Sequence, residues 1–150
     1  ELPLAERVAA CVQIKADVVA GDEREGGRRA LLNYGHTLAH SLEIAGNHDL
    51  RHGEAVAIGL VFAASLAHDL GRIGAAEVEE HRRVVAGYDL PLDVPAELDT
   101  DELVALMGRD KKVLGDGLTY VLDGPDGVEV VSGIDPAAVR ASLARFRGEP

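Results

Sequence analysis

Apolar residues recur at helical spacing through most of the chain. Over residues 4–19, Leu4, Val8, Cys11, Val12, Ile14, Val18 and Val19 return at intervals of about three and four, which predicts an amphipathic helix. Pro3 suits its first turn. Lys15 lies one turn after Cys11, where it is either a solvated helix-end lysine or points into a site. The charged run 21–29, bracketed by Gly21 and by Gly26-Gly27, reads as a surface turn. A second helix is predicted over about 28–44, with Gly46-Asn47 as its stop. On that helix Arg29, Asn33, His36, His40 and Glu43 fall on one stripe, with Leu31, Leu32, Leu38, Leu42 and Ile44 beside it. A helix that packs on both sides and keeps a polar lane has the form of a site wall.

The stretch 52–70, ending at Gly71, is apolar nearly all round and is expected to be the central buried helix. Its Gly53 and Gly59 leave room for a neighbouring backbone. A charged, amphipathic helix is predicted over 75–86. Another opens at Asp99-Thr100-Asp101, runs to about 109, and is followed by Asp110-Lys111-Lys112. Only then does the periodicity change. The β-rich runs 118–123 and 128–131 flank Gly124-Pro125-Asp126-Gly127, which predicts a hairpin. A last helix is expected from Asp135-Pro136 to about 146. The predicted fold class is mainly α, with one small β-hairpin and no internal repeat or boundary.

Composition narrows this picture. At 150 residues the chain is one ordinary domain with a real core. With three Tyr, two Phe and no Trp, that core is expected to be aliphatic. The net charge of −11 argues against nucleic-acid binding. It leaves a small anionic substrate open, because a local cationic cluster outweighs a distant acidic surface. A single cysteine, Cys11, excludes an internal disulfide, is expected to be buried, and fits a cytoplasmic protein. The longest apolar run, 55–67, is too short to cross a membrane. With no initiating Met, the chain is read as a piece of something longer.

The chemistry concentrates in one place. Of six histidines, His36, His40, His48 and His52 fall within seventeen positions. His36 and His40 stand one turn apart, a common metal-binding spacing, and His52 opens the next helix. No Glu stands beside the first His, so the zincin pattern is a poor fit; the His-Asp pairs at His48 and His68 do not meet the spacing of an HD phosphohydrolase. A catalytic zinc usually takes three protein ligands. The third is left open among Glu43, Glu54, Asp49 and a residue outside the chain.

Lys15, the run Asp22-Glu23-Arg24-Glu25-Gly26-Gly27-Arg28-Arg29, Leu32-Asn33-Tyr34-Gly35-His36-Thr37, His40 and His52-Gly53-Glu54-Ala55-Val56-Ala57-Ile58-Gly59 together resemble 3-dehydroquinate synthase, of the sugar phosphate cyclases. Asp110-Lys111-Lys112 extends the match. The resemblance is to the helical C-terminal domain of that enzyme, over residues 1–150, with the NAD-binding half lying elsewhere. It implies His36 and His52 as two ligands of a catalytic Zn²⁺ or Co²⁺, the third being an upstream glutamate outside this chain rather than Glu43 or Glu54. It implies His40 at the substrate phosphate and in proton transfer, with Glu25 orienting it and Asp22 in similar structural work. Lys15, Arg29 and Asn33 are implied as substrate-binding groups, the first two toward the carboxylate.

The implied reaction converts 3-deoxy-D-arabino-heptulosonate 7-phosphate to 3-dehydroquinate and phosphate, in the shikimate pathway of aromatic amino acid biosynthesis. The complete enzyme is implied to use NAD, to be a cytoplasmic homodimer, and to engage a sugar phosphate rather than nucleic acid or membrane. This chain alone is expected to be inactive. Two departures stand out: Ala39 occupies a position where many relatives have Gly, and the hairpin tip 124–127 has no phosphate-binding Lys, which shifts that role to Lys111 or Lys112. The alternatives are a cyclase of the deoxy-scyllo-inosose or valiolone type, or a non-catalytic helical module. Those cyclase substrates lack a carboxylate, so Arg29 and Asn33 favour dehydroquinate synthase.

Overall fold

The computed structural model describes residues 2–21, 27–47, 49–109 and 117–149. Two compact units divide the chain, Glu1–Asn33 and Tyr34–Pro150. The first holds helix α1 (Leu4–Ala20) and a 3₁₀ segment (Arg28–Asn33) that lies against it. The second holds α2 (His36–Ala45), α3 (His52–Asp69), α4 (Ala75–Ala86), α5 (Thr100–Arg109), strands β1 (Leu118–Leu122) and β2 (Glu129–Ile134), and α6 (Pro136–Arg147).

The predicted α1 forms, but its apolar positions do not find a core. Val18 is buried, whereas Leu4, Val8, Val12 and Ile14 are exposed. Cys11, expected to be a buried thiol, is exposed as well. Spacing identifies an apolar face; it does not supply a surface to cover it. Within its own unit α1 has the six-residue 3₁₀ segment as its packing partner, too short to cover a helix of seventeen residues.

In the second unit α3 is the central element, as its all-round apolar character predicts. It buries Ala55, Ala57, Ile58, Gly59, Val61, Phe62, Ala63, Ala64, Leu66 and Ala67, and packs on α2, α4, α6 and β1. The core is not purely aliphatic. Phe62 stands at its centre with ring centroids 6.3 Å from Tyr120 and 5.6 Å from Phe146, both edge-on, so three of the five Phe and Tyr residues are gathered at one point. The hairpin is antiparallel, pairing Tyr120 with Val131 and Leu122 with Glu129, with a register shift between Leu118 and Tyr120. Its turn closes through the Gly127 N–H donating to the Gly124 carbonyl at 3.0 Å. The Asp135 carboxylate caps α6, accepting from the Ala137 N–H at 2.8 Å ahead of Pro136. Asp135→Ala is expected to lower stability by about 1 kcal/mol, read as a fall in Tm.

The second predicted helix is the main correction. Instead of one helix over 28–44, the chain forms the 3₁₀ segment, turns at Tyr34-Gly35, and begins α2 at His36. Gly35 carries φ +80°, which interrupts the helix and suits glycine. A Cβ at Gly59 would lie 2.0 Å from the Gly35 carbonyl oxygen, and one at Gly35 would lie 2.8 Å from the Leu60 nitrogen. Backbone contact between the turn and α3 is what breaks the helix. The five-residue stripe therefore does not form: Arg29 and Asn33 leave it, and His36, His40 and Glu43 keep it.

Candidate metal and substrate site

His36 and His52 are each the first residue of a helix, α2 and α3. The packing of those two helices brings their rings to a centroid distance of 5.3 Å, tilted by 60°. His40, one turn along α2, lies edge-on to His36 at 5.7 Å. His40 and His52 are exposed and His36 is half-buried, so the group opens outward.

In both His36 and His52 the nitrogen in hydrogen-bond contact is Nδ1. The Tyr34 carbonyl oxygen lies 3.1 Å from His36 Nδ1, and Glu43 Oε1 lies 3.0 Å from His52 Nδ1. Both partners are acceptors, so each neutral ring carries its proton on Nδ1 and leaves the Nε2 lone pair available. This is the usual arrangement of metal-bound histidines. Two imidazoles on one tetrahedral zinc, with nitrogens about 2.1 Å from the metal and about 1.1 Å from their ring centres, would place those centres about 5.2 Å apart. The 5.3 Å separation fits a divalent cation.

The acidic residues near these histidines have other employment. Glu43 pairs with His52. Glu54 accepts the Arg51 backbone N–H at 2.9 Å and so caps α3. Among the described residues no three His, Cys, Asp or Glu side chains converge on one point. The described residues therefore offer a two-histidine half-site.

Tyr34 is a part that the sequence did not single out. Its hydroxyl meets His81 Nε2 of α4 at 2.9 Å, while His81 Nδ1 donates to the Glu77 carbonyl at 2.8 Å. Burial, and secondarily the charge of Asp123, hold the Tyr34 phenol well above its ordinary pKa. It stays protonated and donates to His81. The residue whose carbonyl orients His36 is thus fixed at its far end by a side chain forty-seven positions away, and no local pattern signals such a contact.

Lys15, Arg29 and Asn33 belong to the first unit. Lys15 is exposed on α1; Arg29 is half-buried and Asn33 exposed on the 3₁₀ segment. Glu25, Asp22, His48, Asp110, Lys111 and Lys112 lie outside the described residues. At the hairpin, the Arg72 guanidinium donates to the Asp123 carbonyl at 3.2 Å and pairs with Glu129.

A family model described as 3-dehydroquinate synthase C-terminal matches residues 1–113. The chain belongs to this family. A relative in Amycolatopsis mediterranei, provisionally named aminodehydroquinate synthase, is 54% identical over 141 residues, covering 94% of this chain and 40% of its own length. Two 3-dehydroquinate synthases, from Nitrobacter hamburgensis and Xanthomonas oryzae pv. oryzae, are 47% and 42% identical and cover 92% and 94% of this chain. The chain spans about 40% of the length of these relatives.

Two solved structures share the fold of this chain. A 2-deoxy-scyllo-inosose synthase complexed with carbaglucose-6-phosphate, NAD⁺ and Co²⁺ superposes with a TM-score of 0.78 at 22% identity, over 93% of this chain and 40% of that one. The 2-epi-5-epi-valiolone synthase of Streptomyces hygroscopicus subsp. jinggangensis, with NAD⁺ and Zn²⁺ bound, gives 0.72 at 22% identity, over 93% and 39%. The mainly helical architecture with one hairpin is thus the cyclase C-terminal fold. Among the described residues no helix is long and apolar enough to cross a membrane.

Proposed function

We propose that residues 1–150 are the metal- and substrate-binding helical part of a complete 3-dehydroquinate synthase. That enzyme, a phosphorus–oxygen lyase of aromatic amino acid biosynthesis, converts 3-deoxy-D-arabino-heptulosonate 7-phosphate to 3-dehydroquinate and phosphate. The observation that carries the reading is the pair His36 and His52, each bonded through Nδ1 and 5.3 Å apart. Family membership supports it.

His36 and His52 would hold Zn²⁺ or Co²⁺ through Nε2, together with a glutamate outside this chain. The cation supplies charge stabilisation at the substrate oxygen being oxidised, and NAD, bound outside this chain, supplies the transient oxidation and reduction. This chain's own residues bind and move protons. Lys15 and Arg29 take the substrate carboxylate, for which a guanidinium offers a two-pronged match, and Asn33 binds the substrate beside them. His40 stands at the phosphate and serves in proton transfer, with Glu25 orienting its ring. Lys111 and Lys112 take the phosphate that the hairpin tip, which has no lysine, cannot. The same reading makes the complete enzyme a cytoplasmic homodimer.

The 54% identity to the Amycolatopsis relative, against 42–47% to the dehydroquinate synthases, favours a second reading of the substrate: an amine-bearing analogue leading to aminodehydroquinate. One assay tests both. The full-length protein, with NAD and Zn²⁺ or Co²⁺, is expected to release phosphate from the keto-acid sugar phosphate or from its amino analogue, and the higher kcat/KM names the substrate. The 150-residue chain alone is expected to release none. Turnover by the isolated chain, or full-length activity indifferent to chelation and metal return, would overturn the proposal.

A further inference from the structure

We propose that Glu43 is a positioning residue for His52, setting the tautomer and direction of its ring so that Nε2 faces the site shared with His36. The inference rests on the metal reading above and assigns a task to a residue which that reading leaves without one.

His52 is poorly constrained by packing. It is the first residue of α3, and its side chain is 58% exposed. An exposed ring at a helix end samples several rotamers and both neutral tautomers unless a specific bond selects one. Glu43 supplies that bond, with Oε1 3.0 Å from Nδ1. The carboxylate is itself held: its side chain is 19% exposed, on the last turns of α2. It stands seven residues, two helical turns, after His36 and so on the same face. One helix thereby carries both a candidate ligand and the group that aims the other candidate ligand, and the relative placement of the two rings is set by α2 as a unit.

An ionised carboxylate only accepts, so it fixes the proton on Nδ1. A glutamine in its place accepts through oxygen or donates through nitrogen and fixes neither. His36 differs. Its Nδ1 partner is the Tyr34 backbone carbonyl, which carries no net charge and which no side-chain substitution removes. The two histidines are therefore held differently, His52 by a side chain that a single substitution removes. Glu43 is not a third ligand, since no three metal-binding side chains converge among the described residues.

The test uses the complete protein with ¹⁵N-labelled histidine. In the metal-free wild type at mildly alkaline pH, His52 is expected to show the Nδ1–H tautomer. In Glu43→Ala it should revert toward the Nε2–H form that an unconstrained histidine side chain favours. Titration with Co²⁺, followed by its visible absorption, is expected to show about 10–100-fold weaker binding in Glu43→Ala and Glu43→Gln. Glu43→Gln keeps size and shape, so its Tm should match the wild type while its Co²⁺ affinity falls. An Nε2–H tautomer at His52 in the wild type, or wild-type Co²⁺ affinity in both variants, would overturn the positioning role. A wild type that holds the Nδ1–H tautomer yet takes up no Co²⁺ would overturn the metal reading beneath it.

Discussion

His52→Ala in the complete enzyme is expected to abolish metal-dependent turnover, a loss beyond the about 10–100-fold typical of changes to residues that only support a ligand. The physical ground is the size of the ligand set. In the proposed ligand set, two histidines from this chain and one glutamate from elsewhere would make the three protein ligands of an open catalytic site; with His52 gone, two would remain. Removing the ring also leaves the partly buried Glu43 carboxylate without its partner. The measurements are bound metal after dialysis and phosphate release with metal re-added. His52→Ala protein with a full metal complement and wild-type rate would remove His52 from the ligand set.

Gly59→Ala is expected to destabilise the fold by about 3 kcal/mol or more, at the upper end of what overpacking costs. Its Cβ would stand 2.0 Å from the Gly35 carbonyl oxygen and 2.9 Å from the carbonyl carbon. These are backbone atoms, and a side-chain rotation cannot clear them. Gly35 itself sits at φ +80° immediately before His36, so any retreat of the turn moves a candidate ligand. Co²⁺ affinity should therefore fall together with the urea midpoint. Gly53→Ala is the matched control: nothing lies within 4 Å of its Cβ position, and alanine there is expected to be neutral or stabilising by up to about 1 kcal/mol. Equal urea midpoints for the two alanine variants would mean that the Gly35–Gly59 contact does not hold the turn.

The helices α3, α4, α5 and α6 and the hairpin were legible because each announces itself locally. Asp135-Pro136 opens α6, Gly124 to Gly127 turns the hairpin, and an uninterrupted apolar run marks α3. The break at Gly35 was not legible. Leu31, Leu32, Leu38 and Leu42 keep helical spacing straight through it, and the cause is Gly59, twenty-four residues away. The exposure of Cys11 was equally hidden, since an amphipathic period reads the same with or without a partner. At the candidate site, the clustering of histidines in the sequence pointed to the rings of His36, His40 and His52, which the fold brings together. The pairing of Glu43 with His52 was not visible, and acidic residues that spacing offers as ligands, Glu43 and Glu54, turn out to hold a ring and to cap a helix.

What the sequence by itself determined is therefore most of the elements and the clustering of histidines, because periodicity, caps, turn residues and a motif are written in neighbouring positions. What only the tertiary structure decided is the geometry of the half-site: that α2 starts at His36, that the His36 and His52 ring centroids lie 5.3 Å apart, and that each ring meets an acceptor at Nδ1. Those outcomes depend on contacts between residues far apart in the chain, the Gly35–Gly59 approach, the Tyr34–His81 bond and the packing of α2 on α3. Such contacts form because the whole core packs at once, and no stretch of sequence encodes them alone.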